Sequence, residues 1–220
     1  MEYSNVYLKT LINSLPRPAV ILIVGRRGSG KDVTAHETAR ILRSSNQKLV
    51  YIDLQPKKYN LPSYFKQFKQ KFPTDSILLL SDAHLSLYSR EWRTDFSKTM
   101  DKLQTLSRQR DIDIIYTTQQ TRRLDINIVA GIDCIIFKEP SMLASEFERP
   151  EIRKMTETAQ LWFKDRSKKI KWGRAVAFTP QGEHRIEYIT KPYYWSEELS
   201  KAYGRELEIK PKQPTTTINL

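Results

Sequence analysis

The stretch Gly25-Arg26-Arg27-Gly28-Ser29-Gly30-Lys31-Asp32 decides how this chain is read. It follows the apolar run Ala19 to Val24 and opens an amphipathic segment, Asp32 to Arg43, so it joins a strand to a helix. Its spacing is G-x-x-x-x-G-K. Glycines in such a loop let consecutive main-chain N–H groups wrap a phosphate without interference from Cβ atoms. Lys31 would neutralise phosphate oxygens, and the positive end of the following helix adds to the field. Gly25, Arg26, Arg27, Gly28, Ser29, Gly30, Lys31 and Asp32 are therefore the expected binding set for the terminal phosphates of a nucleotide. A glycine-rich turn that binds nothing is the simpler alternative, and the register of strand, loop, lysine and helix argues against it.

Outward from this loop, short apolar runs alternate with helical patterns. The expected strands are Ala19 to Val24, Leu49 to Leu54, Ser76 to Leu80, Ile112 to Thr117 and Cys134 to Phe137, each close to continuously apolar, as strands covered on both faces should be. Helices are expected at Asp32 to Arg43, Ser63 to Lys71, Trp92 to Arg110 and Ser141 to Lys164; the third carries Phe96, Met100, Leu103 and Leu106 on one face. Arg174 to Tyr188 reads as two strands joined at Pro180-Gln181-Gly182. The fold class is thus α/β: a RecA-like P-loop NTPase core with a mostly parallel central sheet flanked by helices, plus a C-terminal β-hairpin and helix. One domain is expected over residues 1–207, with its core at about 19–140 and the added helix and hairpin in 141–207; residues 208–220 form a tail.

Composition narrows the partners. The chain of 220 residues is 39% hydrophobic and 28% charged, which suits a globular core rather than disorder. Its one cysteine, Cys134, excludes an internal disulfide framework and suits a reducing cytoplasm and a small core side chain. The longest apolar run falls far short of the ~20 residues of a membrane span, and Met1-Glu2-Tyr3-Ser4 opens no signal peptide, so a soluble protein is expected. With 37 Lys+Arg against 25 Asp+Glu the formal charge is +12, which makes polyanions, and nucleic acid first among them, the favoured partners.

The loop departs from the Walker A pattern at its last position, where Asp32 replaces the Ser or Thr whose hydroxyl ligates Mg²⁺. Asp32 is either a carboxylate ligand of that ion or an acidic residue complementing the helix dipole. The strand Ile77-Leu78-Leu79-Leu80 runs into Ser81-Asp82-Ala83-His84, an acidic strand end of Walker B type. In one register Ser81 takes the metal position and Asp82 is the carboxylate that polarises water; in the other Asp82 holds the metal and the base position is empty. The first register makes Asp32 and Ser81 an exchange of hydroxyl and carboxylate between two metal-facing positions. His84 reads as a packing or hydrogen-bonding residue. Gln119, after the fourth expected strand, either orients water over a γ-phosphate or is a solvent-facing amide.

The order of these motifs resembles the FtsK/HerA superfamily of DNA-pumping ATPases, including viral genome-packaging and zonula-occludens-toxin-like members. The resemblance runs from about Ala19 to Ala202. It rests on Gly25 to Lys31, on Ser81-Asp82-Ala83-His84 as a variant of D-E-A-H, and on Ile114-Ile115-Tyr116-Thr117-Thr118-Gln119 as a strand with a glutamine sensor. Leu124-Asp125-Ile126-Asn127, Cys134-Ile135-Ile136-Phe137 and, less specifically, Trp195-Ser196-Glu197-Glu198-Leu199-Ser200 continue it. The resemblance implies ATP and Mg²⁺ as cofactors, Lys31, Asp82 and Gln119 in catalysis, and a ring, usually hexameric, with DNA in its channel. It also implies an arginine finger from a neighbouring subunit, for which Arg90, Arg93, Arg122 and Arg123 are candidates, each taken singly reading more readily as a surface or DNA-facing residue.

DNA contact is expected at Lys57, Lys58, Lys168, Lys169, Lys171, Trp172 and Arg174, where basic residues alternate with aromatics. The plain alternative is a solvated charged face. Three functions remain: an ATP-driven DNA translocase or packaging motor, a nucleotide-binding assembly scaffold with weak or no hydrolysis in a virion or membrane complex, and a small P-loop kinase. The kinase fits the basic excess poorly.

Overall fold

In the computed structural model, which describes residues 5–68, 74–81, 102–124, 126–164 and 173–202, eight strands form one sheet. They are β1 (Val20–Val24), β2 (Leu49–Ile52), β3 (Phe65–Gln67), β4 (Ser76–Leu80), β5 (Ile112–Thr118), β6 (Cys134–Phe137), β7 (Ala175–Thr179) and β8 (Gly182–Ile186). Their order across the sheet is β3-β2-β4-β5-β1-β6-β7-β8. Every pairing from β3 to β6 is parallel, and β7 and β8 continue the sheet antiparallel. Helices are α1 (Val6–Ser14), α2 (Lys31–Asn46), α3 (102–110), α4 (Ile126–Ala130), α5 (Pro150–Lys164) and α6 (Glu197–Ser200).

The two-residue period of a strand sorts β1 between two cores. Ile21 and Ile23 join Leu8, Leu11 and Ile12 of α1 and Ala35, Ala39 and Leu42 of α2 on one face. Val20, Leu22 and Val24 point to the other face, with Leu103 of α3, Ile128 of α4 and Ile152 and Ala159 of α5. All five residues of β1 are buried, which at about 1.5–3 kcal/mol for each large aliphatic side chain fixes this strand at the centre. The parallel strands therefore bring their carboxyl ends, and the loops that follow them, to one edge of the sheet.

Two expected elements differ from the structure. Ser63 to Lys71 is not a helix: Phe65–Gln67 is β3, an edge strand parallel to β2, with Phe65 buried and 69–73 outside the described residues. Tyr64, Phe65 and Phe68 suit a helical face as well as a strand, and the open edge of β2 takes the segment. The long helix at Ser141 to Lys164 begins only at Pro150; residues 142–147 are turn. Proline lacks the N–H a helix interior needs and is at home at its first position. The hairpin at Arg174 to Tyr188 is present, and it lengthens the central sheet through β6 rather than standing apart from it. Helix α1 has no counterpart among the expected elements, although Leu8, Leu11 and Ile12 already carry helical spacing.

Candidate nucleotide site

The glycine loop lies between the carboxyl end of β1 and the first turn of α2, with β5 on one side and β6 on the other. Gly25 N donates to Thr118 O at 3.2 Å, and Arg26 N donates to Glu139 O at 3.1 Å, so the loop leaves the sheet held from both neighbours. Gly25 has no room for a side chain: a Cβ there would stand 2.6 Å from Ser29 Oγ and 2.7 Å from Lys138 Cβ. Gly30 is the residue before α2 and takes φ 85°, the left-handed region that favours glycine. Gly30, as the N-cap residue, contributes no side-chain cap to α2. Ser29 N donates to Arg26 O at 3.1 Å and closes the turn.

Charged groups gather around this loop. Lys31 is only 5% exposed, and Lys138, directly after β6, is fully buried, its ammonium lowered to about 7 by desolvation. Arg26 pairs with Glu139 at 2.6 Å with its own side chain 47% exposed, so the pair adds at most about 1 kcal/mol and serves mainly to orient the loop. Arg27 is exposed. In the first turn of α2, Asp32 Oδ1 accepts from Thr117 Oγ1 of β5 at 3.4 Å. Leu80 pairs with Tyr116, so Ser81 continues alongside Thr117; its hydroxyl is buried and finds no hydrogen-bond partner among the described residues. Asp32 of α2 thus meets Thr117 of β5, and Ser81 follows the neighbouring strand β4. Thr117 was not among the sequence candidates; only the pairing of β5 with β1 and β4 reveals it.

Gln119 follows β5 at the same edge and is partly exposed. Thr118 Oγ1 donates to Gln120 O at 3.0 Å, so the residue that receives Gly25 N also starts the turn carrying Arg122. Arg122 is exposed, and its amide donates to Glu148, a residue that belongs to no motif. Lys57 and Lys58 are exposed in the short turn Pro56–Tyr59 after β2, at the same edge. Arg174 is committed within the fold: it is largely buried, pairs with Glu187 at 2.8 Å and lies 5.0 Å from the centroid of the Trp162 ring. Asp82, His84, Arg90, Arg93, Lys168, Lys169, Lys171 and Trp172, with the side chain of Arg123, lie outside the described residues. Cys134 is buried in β6, and burial pushes its thiol up to about 12.

A cavity of about 310 Å³ lies at the opposite end of the strands, lined by Pro18, Val20, Gln104, Arg108, Asn127 and Asp133 among others, and shares no residue with the loop. Among the described residues no three His, Cys, Asp or Glu side chains gather as a metal cluster, and no helix is long and apolar enough to cross a membrane.

A mostly parallel sheet with a glycine loop between a central strand and the next helix is the fold of the P-loop NTPases. Among solved structures, the chain is similar to the genome-packaging NTPase B204 of Sulfolobus turreted icosahedral virus 2 in complex with sulfate, at 14% identity and TM-score 0.56, covering 79% of this chain and 98% of that one. It is also similar to the pCW3 conjugation coupling protein TcpA with ATPγS, at 13% identity and TM-score 0.53, and to EssC ATPases 2 and 3 of Geobacillus thermodenitrificans, at 14% and 0.51. The match covers 79% and 86% of this chain but only 60% of the TcpA chain and 43% of the EssC chain. No protein-family model and no curated protein sequence matches the chain.

Proposed function

We propose that this chain is an ATP-dependent DNA translocase or genome-packaging motor that works as an oligomeric ring. The observation that carries the reading is the glycine loop between β1 and α2, with Lys31 and Asp32 in the first turn of α2 and Asp32 hydrogen-bonded to Thr117 at the end of β5. In this reading the loop is a Walker A element: its amides and Lys31 hold the β- and γ-phosphates, and Gln119 orients the attacking water. Asp82 is the carboxylate assigned to polarise that water. The similarity to a viral packaging NTPase and a conjugation coupling protein supports DNA as the cargo, as do the charge of +12 and the exposed Lys57 and Lys58.

Mg²⁺ fits the residues present. Asp32 offers a carboxylate, and Thr117 and the orphaned Ser81 offer hydroxyls, a sparse oxygen set of the kind this ion takes when water and phosphate complete its shell. Bound there, it would neutralise charge on the phosphates, and Asp32 and Ser81 are the residues that would hold it. The same departure from a Ser or Thr at position 32 favours the second reading, a nucleotide-bound assembly scaffold that turns over slowly or not at all.

ATP hydrolysis with Mg²⁺, measured with and without duplex DNA, separates these. Stimulation by DNA supports the motor, binding without turnover the scaffold, and ADP release that needs a small acceptor the kinase. Electron microscopy of the protein with nucleotide tests the ring.

A further inference from the structure

Residues 138–149 leave β6 against the glycine loop and finish against the turn that follows Gln119. At the near end, Lys138 N donates to Val24 O at 2.7 Å, and Glu139 holds Arg26 through its carbonyl and its carboxylate. At the far end the Glu148 side chain, in a residue 6% exposed, accepts from Thr121 N at 3.1 Å, Arg122 N at 3.0 Å, Arg149 N at 3.1 Å and the Thr121 hydroxyl. A carboxylate withdrawn from water this far is tolerable only when donors surround it, and here four do. The turn Thr121–Arg123 has no capping side chain of its own, so Glu148 satisfies its leading amides. Arg149 closes the other end by donating to Leu124 O.

Resting on the nucleotide-site reading above, we propose that Glu148 is a positioning residue: it clamps the turn after Gln119 at a fixed distance from the glycine loop, so that occupancy of the loop is felt by that turn. Thr118 already joins Gly25 to the start of this turn, and Glu148 adds the link that holds its body, through main chain at one end and through a single carboxylate at the other. A mere buttress would stabilise the turn without linking it to nucleotide.

The test follows amide hydrogen exchange in the full chain with and without Mg²⁺ and ATPγS, alongside nucleotide affinity and turnover, for wild type, Glu148→Gln and Thr121→Val. In wild type, nucleotide should slow exchange in both 25–31 and 119–124. In both variants the 25–31 response should persist with affinity within about twofold, while the 119–124 response is lost and any turnover falls by about tenfold or more. A 119–124 response that survives in both variants overturns the proposal, and so does its absence from a wild type that still responds at 25–31. Parallel loss of both responses in the variants overturns it as well. A wild type with no response at 25–31 brings down the nucleotide-site reading itself. If Glu148→Gln does not fold, Thr121→Val carries the same readouts.

Discussion

Thr117 Oγ1 donates to Asp32 Oδ1 across 3.4 Å, tying the end of β5 to the first turn of α2. The carboxylate at the position where a hydroxyl is usual therefore meets a hydroxyl from the neighbouring strand, with the buried Ser81 hydroxyl on the strand beyond. If Asp32 supplies the carboxylate ligand that Ser81, a hydroxyl, cannot, Asp32→Ser weakens Mg-nucleotide binding by about tenfold, the worth of one charge-assisted contact. Titration of a fluorescent ATP analogue with and without Mg²⁺ measures it, and wild-type affinity in the variant rules the exchange out.

Lys31 is nearly buried at the start of α2. On the proposed reading Lys31→Ala removes the charge that faces the phosphates and should abolish turnover. Hydrolysis retained by a folded Lys31→Ala protein would mean that the site lies elsewhere.

Gly25→Ala places a methyl group 2.7 Å from Lys138 Cβ and 2.6 Å from Ser29 Oγ. The serine can rotate; the lysine Cβ is fixed by β6. Overpacking of this kind should cost about 1–3 kcal/mol, read as a lower midpoint in urea, together with weaker nucleotide binding because the loop must lift.

His36, on the buried side of α2, packs against Phe65, Tyr194 and Trp195, and burial pulls it down to about 3. The unfolded chain takes up this proton near pH 6.5 while the folded one does not, so stability falls as pH drops from 6.5 towards 3. At pH 4.5 the loss is about 2–3 kcal/mol from this residue. His36→Phe should flatten that acid limb in unfolding curves taken between pH 7 and 4.5, and an unchanged slope would show that the ring is protonated in the fold.

DNA affinity should fall steeply with salt, because each phosphate neutralised releases condensed cations. Lys57→Ala and Lys58→Ala should each reduce the slope of log K against log salt by about one if they touch the backbone, with no change in nucleotide affinity.

Much of this molecule was legible before folding was considered. Ser76–Leu80 and Cys134–Phe137 are strands at the expected residues, because only a strand covered on both faces tolerates so continuous an apolar run. Phe65 was not legible, since its short segment suits either period and an unfilled strand edge decides. Pro150 could have been read as the start of α5, and the charged pattern before it obscured that signal.

The sequence by itself determined the strand, glycine loop and helix, because a tight turn with left-handed backbone and no room for Cβ restricts residue type at each position along a contiguous stretch. The strand order was decided only by the tertiary structure. It sets β5 and β6 on either side of β1, which brings Thr117 to Asp32, Lys138 beneath Gly25 and, through the segment after β6, Glu148 to Thr121. These partners lie 27 to 113 residues apart, and their approach depends on which sheet edges and faces bury most apolar surface, a competition among all elements at once that no local pattern records.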